Sequence, residues 1–428
     1  MIRKKRILFR GFYNFYNFGD DLVLIAWNDF LSSKLKYTNE KLELYTIQRD
    51  KSSTKLNFDN QLSLDHQEPP DITSYINEKF KRFHVALKIP NTIELIEGMK
   101  RWLLTSIVII DTAVYKISRK SFFIKEYLDF LSSLDVIHYI GGGYFTDRWN
   151  AVLVYEFFLV LLAKNVNSDL KIIGTGLGLG PFKNRLSRIV FKFFAKNFDY
   201  LFVRDDISLK LLEDLKVGVC ADTLGDDAIL LFPFIEDIKQ KQNVYSNNRI
   251  AFNLKSFPDH DYFLIKRNIE NYLRCMRLQN CKIEYFCFGK KPGPDDRKLM
   301  EILDEELRKD LSIHDPYEEG WTSFIENLAQ TAVGLGFAYH FSVILTLLGI
   351  PVVSVYSGGY YRQKMEGGIK FLNKDSTVLS IGELTSVNIA EIASAAKSLK
   401  HNNMDGELEM KYKKMALEYA GVYENILK

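Results

Sequence analysis

Short β-branched runs alternate with stretches of three-to-four-residue apolar repeat from Arg6 to Phe234. This is the pattern of a parallel sheet covered by helices on both faces. It predicts strands over Ile7–Arg10, Leu42–Thr46, Asp135–Ile140, Lys171–Thr175, Tyr200–Val203 and Val217–Cys220, and helices over Asp21–Leu31, Ala151–Ala163, Asn184–Phe194 and Ile207–Leu215. Thr73–Leu134 breaks the rhythm, with amphipathic repeats around Tyr75–Ala86, Thr92–Ile110 and Ser121–Ser133 and no clear strand between them, and reads as a helical insertion. After a polar run from Ile238 to Arg249 a second alternation begins: strands over Ile250–Leu254, Lys282–Phe286, Val333–Gly336 and Val352–Val355, helices over Asp261–Met276, Asp295–Lys309, Gly320–Ala329 and His340–Leu348. Ala390–Lys428 is helical and charged.

The expectation is therefore an α/β protein of two doubly wound domains. Residues 1–237 form the first, with the insertion at about 73–134, residues 248–389 the second, and 390–428 a helical tail packed back across the hinge. Two open sheets joined by a short linker face each other across a cleft lined by the carboxyl ends of their strands.

A length of 428 residues fits two domains better than one core. A net charge of +3 gives no electrostatic case for nucleic acid, so an anion bound here is expected to be small and locally held. Cys220, Cys275, Cys281 and Cys287 form no CxxC pair and sit in apolar runs, as reduced buried thiols do. A cytoplasmic protein is expected, acting there or at the inner face of the membrane. Arg10, Asn14, Asn17, Asp20 and Asp21 interrupt any apolar core behind the basic start. The apolar windows near Trp102–Val114 and Phe341–Val355 fall short of the ~20 residues of a membrane span. Lys79, Lys81, Arg82, Lys100, Arg101 and Trp102 of the insertion make either a solvated face or a surface for an acceptor or a membrane.

Candidate chemistry gathers at the turns after strands. Gly11–Asp21 follows the first strand, where Gly19 allows a tight turn, Asp20 or Asp21 can cap the next helix and Asn17 can offer its amide to a ligand. Gly141-Gly142-Gly143 lets backbone N–H groups approach a ligand at a helix N-terminus. Gly174–Pro181, with Gly176 and Gly178, suits the same close approach. Neither run is GxGxxG or a P-loop. Arg204 ends a strand and presents a planar fork to phosphate or carboxylate, or else pairs internally with Asp205 or Asp206, while Asp226 and Asp227 after the next strand cap a helix or orient the arginine. His340 opens a buried helix after Gly334-Leu335-Gly336, and Arg362 and Lys364 follow one strand later in what reads as a basic loop. A histidine so placed acts as an acid only beside an anion that favours its charged form. His66, His84, His260, His314 and His401 read as structural, and His138 as a satisfied core residue. No spacing suggests a metal ligand set, and no metal or cofactor is expected.

Taken in order, Asn17-Phe18-Gly19-Asp20-Asp21, Gly141-Gly142-Gly143, Gly176-Leu177-Gly178, Val203-Arg204-Asp205 with Ser208, Tyr339-His340, Gly349-Ile350-Pro351 and Lys364 resemble the polysaccharide pyruvyl transferase family along nearly the whole chain. The resemblance implies two Rossmann-like domains in a GT-B-like arrangement. It also implies transfer of pyruvate from phosphoenolpyruvate to a sugar or glycan acceptor, free or lipid-linked, as a ketal. The family's arginine and histidine roles fall on Arg204 and His340, and its later basic role on Lys364 or Arg362. Many members carry an arginine two residues before the histidine, where this chain has Ala338. Either Arg362 or Lys364 takes over the phosphate contact, or the activity is altered. A nucleotide-sugar glycosyltransferase of the same architecture, with Glu318 or Glu319 at the ribose, and a non-catalytic glycan-binding relative are the competing expectations.

Overall fold

Thirteen strands form two all-parallel sheets in the computed structural model, which describes residues 3–13, 16–36, 41–46, 64, 66–70, 111–121, 124–241, 248–255, 262–290, 295–384 and 404–427. The first sheet contains β1 (Lys5–Arg10), β2 (Leu42–Tyr45), β3 (His66–Gln67), β4 (Val136–Ile140), β5 (Lys171–Leu177), β6 (Tyr200–Val203) and β7 (Ala221–Thr223), in the order β3-β2-β1-β4-β5-β6-β7. The second contains β8 (Arg249–Asn253), β9 (Lys282–Phe286), β10 (Ser312–His314), β11 (Val333–Gly336), β12 (Val352–Tyr356) and β13 (Thr377–Ser380), in the order β10-β9-β8-β11-β12-β13. Each sheet starts in its middle, runs to one edge and returns to the middle. Switch points therefore lie between β1 and β4 and between β8 and β11, where doubly wound sheets hold their ligands.

Several local expectations are revised. Val217–Cys220 is not a strand; β7 begins at Ala221. Lys216 adopts a left-handed conformation and the Val217 N–H bonds the Leu212 carbonyl, so Val217 is the apolar closure of a helix end. The helix expected over Asp295–Lys309 is broken into Asp296–Leu299, a 3₁₀ turn at Met300–Ile302 and Glu305–Lys309. Arg362 and Lys364 lie on a helix, Gly358–Leu372, and not in a loop. Cys220 is exposed, although Cys281 and Cys287 are buried. The insertion's helices at Tyr75–Ala86 and Thr92–Ile110, with Lys79, Lys81, Arg82, Lys100, Arg101 and Trp102, fall outside the described residues, as do 242–247 of the expected linker. From Lys125 to Ser133 the chain is helical.

The two sheets share a core. The Phe18–Asp29 helix is apolar almost all round and buries ten of its twelve residues, as a helix enclosed on every side must. Phe18 packs 5.5 Å from Phe288 and edge-on to Phe324 at 5.0 Å, while Trp27 stacks on Tyr419 at 5.0 Å and Tyr423 at 5.6 Å. Tyr419 and Tyr423 belong to the Met404–Leu427 helix, so the tail returns to the first sheet.

That return is fastened by one buried carboxylate. Asp227 Oδ2 accepts from Trp27 Nε1 (2.9 Å), the Gly141 N–H (3.0 Å) and Thr175 Oγ1 (2.7 Å), and Oδ1 accepts from Tyr419 Oη (2.9 Å). Because Thr175 donates to Asp227, it accepts from His138 Nε2 at 2.9 Å, and His138 Nδ1 then accepts from Tyr423 Oη at 2.8 Å. His138 is thus a satisfied core residue. At pH 8, where Asp227, pushed up to about 7 by burial, is mostly ionised, removing one donor to this buried charged acceptor costs about 1.5–3 kcal/mol. Tyr419→Phe is accordingly expected to lower unfolding stability by about that amount in urea titrations, whereas Leu417→Ala, on the exposed face of the same helix, is expected to change it by less than about 0.5 kcal/mol.

Candidate active site

The sequence-predicted residues lie after the carboxyl ends of their strands. Asn17 and Asp20 follow β1, Gly142 and Gly143 follow β4, Gly178 follows β5, Arg204 follows β6, His340 follows β11 and Lys364 lies in the helix after β12. The first loop crosses to the second sheet: the Phe18 N–H donates to Phe288 O (2.8 Å) and the Lys290 N–H to Tyr16 O (3.1 Å), making Asn17 and Gly289 an antiparallel bridge. Tyr317 Oη donates to Asp21 Oδ2 at 2.7 Å. Asn17 turns its amide onto Asp20, which orients that carboxylate beside Gly142.

Gly19 explains why this loop is tight. A Cβ at that position would overlap His340 at Nδ1, Cγ and Cβ, so the Nδ1 side of the imidazole packs against the first turn of the Phe18–Asp29 helix. Gly178 does the same for Arg204, whose guanidinium occupies the place a Cβ would take. Asp205 holds that segment by accepting from Ser208 N–H and Oγ (both 2.8 Å), and Ser208 Oγ accepts from the Leu179 N–H (2.9 Å). The glycines at 19 and 178 are space for two side chains.

Asp226 joins the halves. Its Oδ2 lies 3.9 Å from Arg204 Nη1 and its Oδ1 3.7 Å from His340 Nε2, so a strand-end arginine of the first sheet and a helix-start histidine of the second flank one carboxylate. All three are at least 96% buried. Burial works to raise the Asp226 pKa, but His340, Arg204 and the Ala228 N–H outweigh it and hold the carboxyl at about 2. Next to it, burial and the Asp226 charge push Asp227 up to about 7 against its four donors. His340 Nε2, Arg204 Nη1, Asp226 Oδ2 and Tyr339 Oη have no hydrogen-bond partner among the described residues. Buried polar atoms are rarely left so, and here they converge on one point.

Cations gather on the Tyr339 ring, with Arg204 Cζ 4.6 Å and Lys364 Nζ 4.9 Å from its centroid. Lys364 is half-buried, and burial, Lys255 and Arg204 press its ammonium down to about 7 against the pull of Asp20 and Asp226. Arg362 is not part of this cluster. It is two positions from Lys364 on a helix, about 200° around the axis, and it is exposed and paired with Glu366 at 3.1 Å. The correction follows from the helix: a loop allows both cations to face the site, and a helix allows one. Ala338, buried at the helix N-cap with its N–H on Asn253 Oδ1 (2.8 Å), brings no cation here, and Lys364 does.

Sequence reading missed Tyr360 and Lys255, and quoted Tyr339 in a motif without giving it a role. Tyr360 Oη donates to Gly143 O at 2.7 Å and so closes the triple-glycine turn from the opposite domain. The Tyr360-Tyr361 pair beside Arg362 and Lys364 was the available signal.

Two Rossmann-like domains in a GT-B-like arrangement, with an anion-directed cluster at their meeting edge, define the class. The sequence profile of the polysaccharide pyruvyl transferase family matches residues 17–359, and the chain belongs to that family. No curated protein matches it at sequence level. Solved structures similar in fold include Arabidopsis thaliana UGT89C1 (9% identity, 100% of each chain covered, TM-score 0.51) and Anabaena Alr3699/HepE in complex with UDP and glucose (10%, 98% of this chain and 100% of that one, 0.51). UDP-N-acetylglucosamine 2-epimerase from Rickettsia bellii is a third (12%, 98% of each, 0.50).

An anion seated on this cluster favours charged Lys364. Sulfate does not titrate in this range, and its binding at pH 8 is expected to draw up to one proton from solvent, seen by calorimetry in buffers of different ionisation enthalpy. The uptake falls away below pH 6, where the lysine is already charged, and is lost in Lys364→Met. Equal uptake by that variant would remove Lys364 from the site.

Proposed function

We propose that the protein transfers a pyruvyl group from phosphoenolpyruvate to two hydroxyls of a sugar in a surface polysaccharide or its precursor, forming a ketal. The supporting observation is the convergence of His340 Nε2 and Arg204 Nη1 on opposite oxygens of Asp226, both without other partners.

In this reading His340 is the general acid. Nδ1 is packed against Gly19, which leaves Nε2 as the nitrogen that faces substrate, with Asp226 Oδ1 3.7 Å from it. Nε2 gives its proton to the methylene carbon of phosphoenolpyruvate; the carbon–carbon π pair forms the new C–H bond and positive character develops at the carbon bearing phosphate. A sugar hydroxyl attacks there and its proton returns to the imidazole. The C–O bond to phosphate then breaks, and the second hydroxyl closes the ring with its proton leaving on hydrogen phosphate. Arg204 and Lys364 stabilise the phosphate and carboxylate charge throughout, and Lys364 takes the basic role that Ala338 cannot. Asn17 and Asp20 face the sugar, and Gly142, Gly143 and Gly178 give close approach.

The ion pairs of Glu318 and Glu319, the acids nominated for a nucleotide sugar's ribose, favour the pyruvyl reading over that one. Glu318 pairs with Arg297 (2.5 Å) and Lys290 (3.4 Å), and Glu319 accepts from Asn327 (2.9 Å) and meets His314.

His340→Ala is expected to slow phosphate release from phosphoenolpyruvate about 10²- to 10⁴-fold while calorimetric affinity for phosphoenolpyruvate stays within a few-fold. Arg204→Ala is expected to weaken that affinity itself by roughly 10- to 150-fold, the worth of a charge-assisted hydrogen bond. Wild-type turnover by His340→Ala contradicts the acid assignment.

A further inference from the structure

The helices Asn150–Val166 and Arg185–Ala195 pack side by side, with Ser187 Oγ donating to Asn150 Oδ1 at 2.8 Å and the Phe157 and Phe194 rings 6.5 Å apart. Their buried faces cover the first sheet. Their outer faces are unusual. Val154, Phe158 and Leu161 are 41–50% exposed and repeat every three or four residues along one helix; Leu186, Ile189 and Phe193 are 43–71% exposed and do the same along the other. Among the described residues, most of the exposed large hydrophobic side chains are on these two helices and the residue before them, Trp149, and a contiguous apolar patch of that kind marks an interaction surface.

The charge around the patch identifies what it meets. From Lys183 to Lys196 the sequence carries five cations (Lys183, Arg185, Arg188, Lys192 and Lys196) and no carboxylate. In the longer helix the single acid, Glu156, is buried and bonded to Arg10 at 2.9 Å, so it is neutralised from within. An apolar stripe rimmed by lysine and arginine, with no acid on the exposed face, is complementary to an anionic bilayer: acyl chains accept the rings and phosphate headgroups the cations. Asp147–Val166 is also long and apolar enough to cross a membrane by composition, with a mean hydropathy of 1.4. It is nevertheless the crossover between β4 and β5, with its inner face held in the domain core, so it can lie on a bilayer and not through it.

We infer that this two-helix face is a peripheral membrane-binding surface for anionic lipid. Its edge reaches the candidate site: Arg148 lies over the rings of Trp149 (5.9 Å), Tyr360 (5.9 Å) and Tyr361 (5.5 Å), and Tyr360 bonds Gly143. A bilayer on this face therefore lies beside the glycine turn. Only the consequence that a lipid-carried acceptor is presented to His340 rests on the proposed reaction; the docking itself does not.

The full chain is expected to co-sediment with vesicles of equal parts phosphatidylglycerol and phosphatidylcholine, weakly with phosphatidylcholine alone, and less as salt rises. Removing a cation near an anionic surface costs about fivefold in binding, so the charge reversal Arg188→Glu/Lys192→Glu is expected to lower vesicle affinity by at least roughly twenty-five-fold. Phe158→Ser/Phe193→Ser is expected to abolish stable binding while leaving the circular dichroism melt and calorimetric anion binding unchanged. Equal binding to both vesicle types, none to either, or a sedimentation-velocity dimer that dissociates in the Phe158/Phe193 variant overturns the proposal, the last by assigning the face to a second copy. Vesicle binding without pyruvyl transfer overturns the proposed reaction alone.

Discussion

Asp226 is the constraint on which the rest of the arrangement depends. A buried guanidinium needs carboxylate partners, because an unpaired buried charge is strongly destabilising; Arg204 Nε meets Asp205 at 3.3 Å and its Nη1 faces Asp226. One carboxylate just past β7 faces both Arg204 and His340, at 3.9 Å and 3.7 Å, where the Asn17–Gly289 bridge and the Tyr360–Gly143 hydrogen bond also join the domains. His340 and Arg204 hold Asp226 ionised where burial alone would favour its neutral form.

The glycine turns follow from that constraint. Gly19 and Gly178 are small because His340 and Arg204 occupy their space, and Gly141 gives its N–H to Asp227, which binds the tail and the first helix in one network. Adjacent carboxylates thus divide the work: Asp226, pulled down to about 2, faces the cations, and Asp227, pushed up to about 7, faces neutral donors. The first fastens domain to domain, the second fastens tail to sheet.

Much of this was legible from periodicity and from glycine position. Central parallel strands are continuous apolar runs, so β1, β4, β5, β6, β9, β11 and β12 were read close to their limits, and the loops after them were read as site-bearing because sheets of this kind bind ligands there. The edge strands β3 and β10 carry too few residues for a pattern to form, and β13, half-buried along its whole length, has no continuous apolar run. The Gly358–Leu372 helix was hidden by its four glycines, at 358, 359, 367 and 368; two of them are small because Asp205 and Tyr339 lie against them. Missing that helix is what paired Arg362 with Lys364. Tyr360 bonding Gly143 across the domains was beyond sequence reading, since no local rule joins residues 217 positions apart.

The outer face of the first domain adds a second level of organisation, with a cationic apolar surface beside the loop that borders the candidate site. A crystal structure of the full chain with phosphoenolpyruvate tests the central claim most directly. The account predicts phosphate within hydrogen-bond reach of the Arg204 guanidinium and near Lys364, with the methylene carbon facing His340 Nε2 and Asp226 still between the two side chains. Phosphoenolpyruvate seated elsewhere, or a His340 ring turned away from it, contradicts the account.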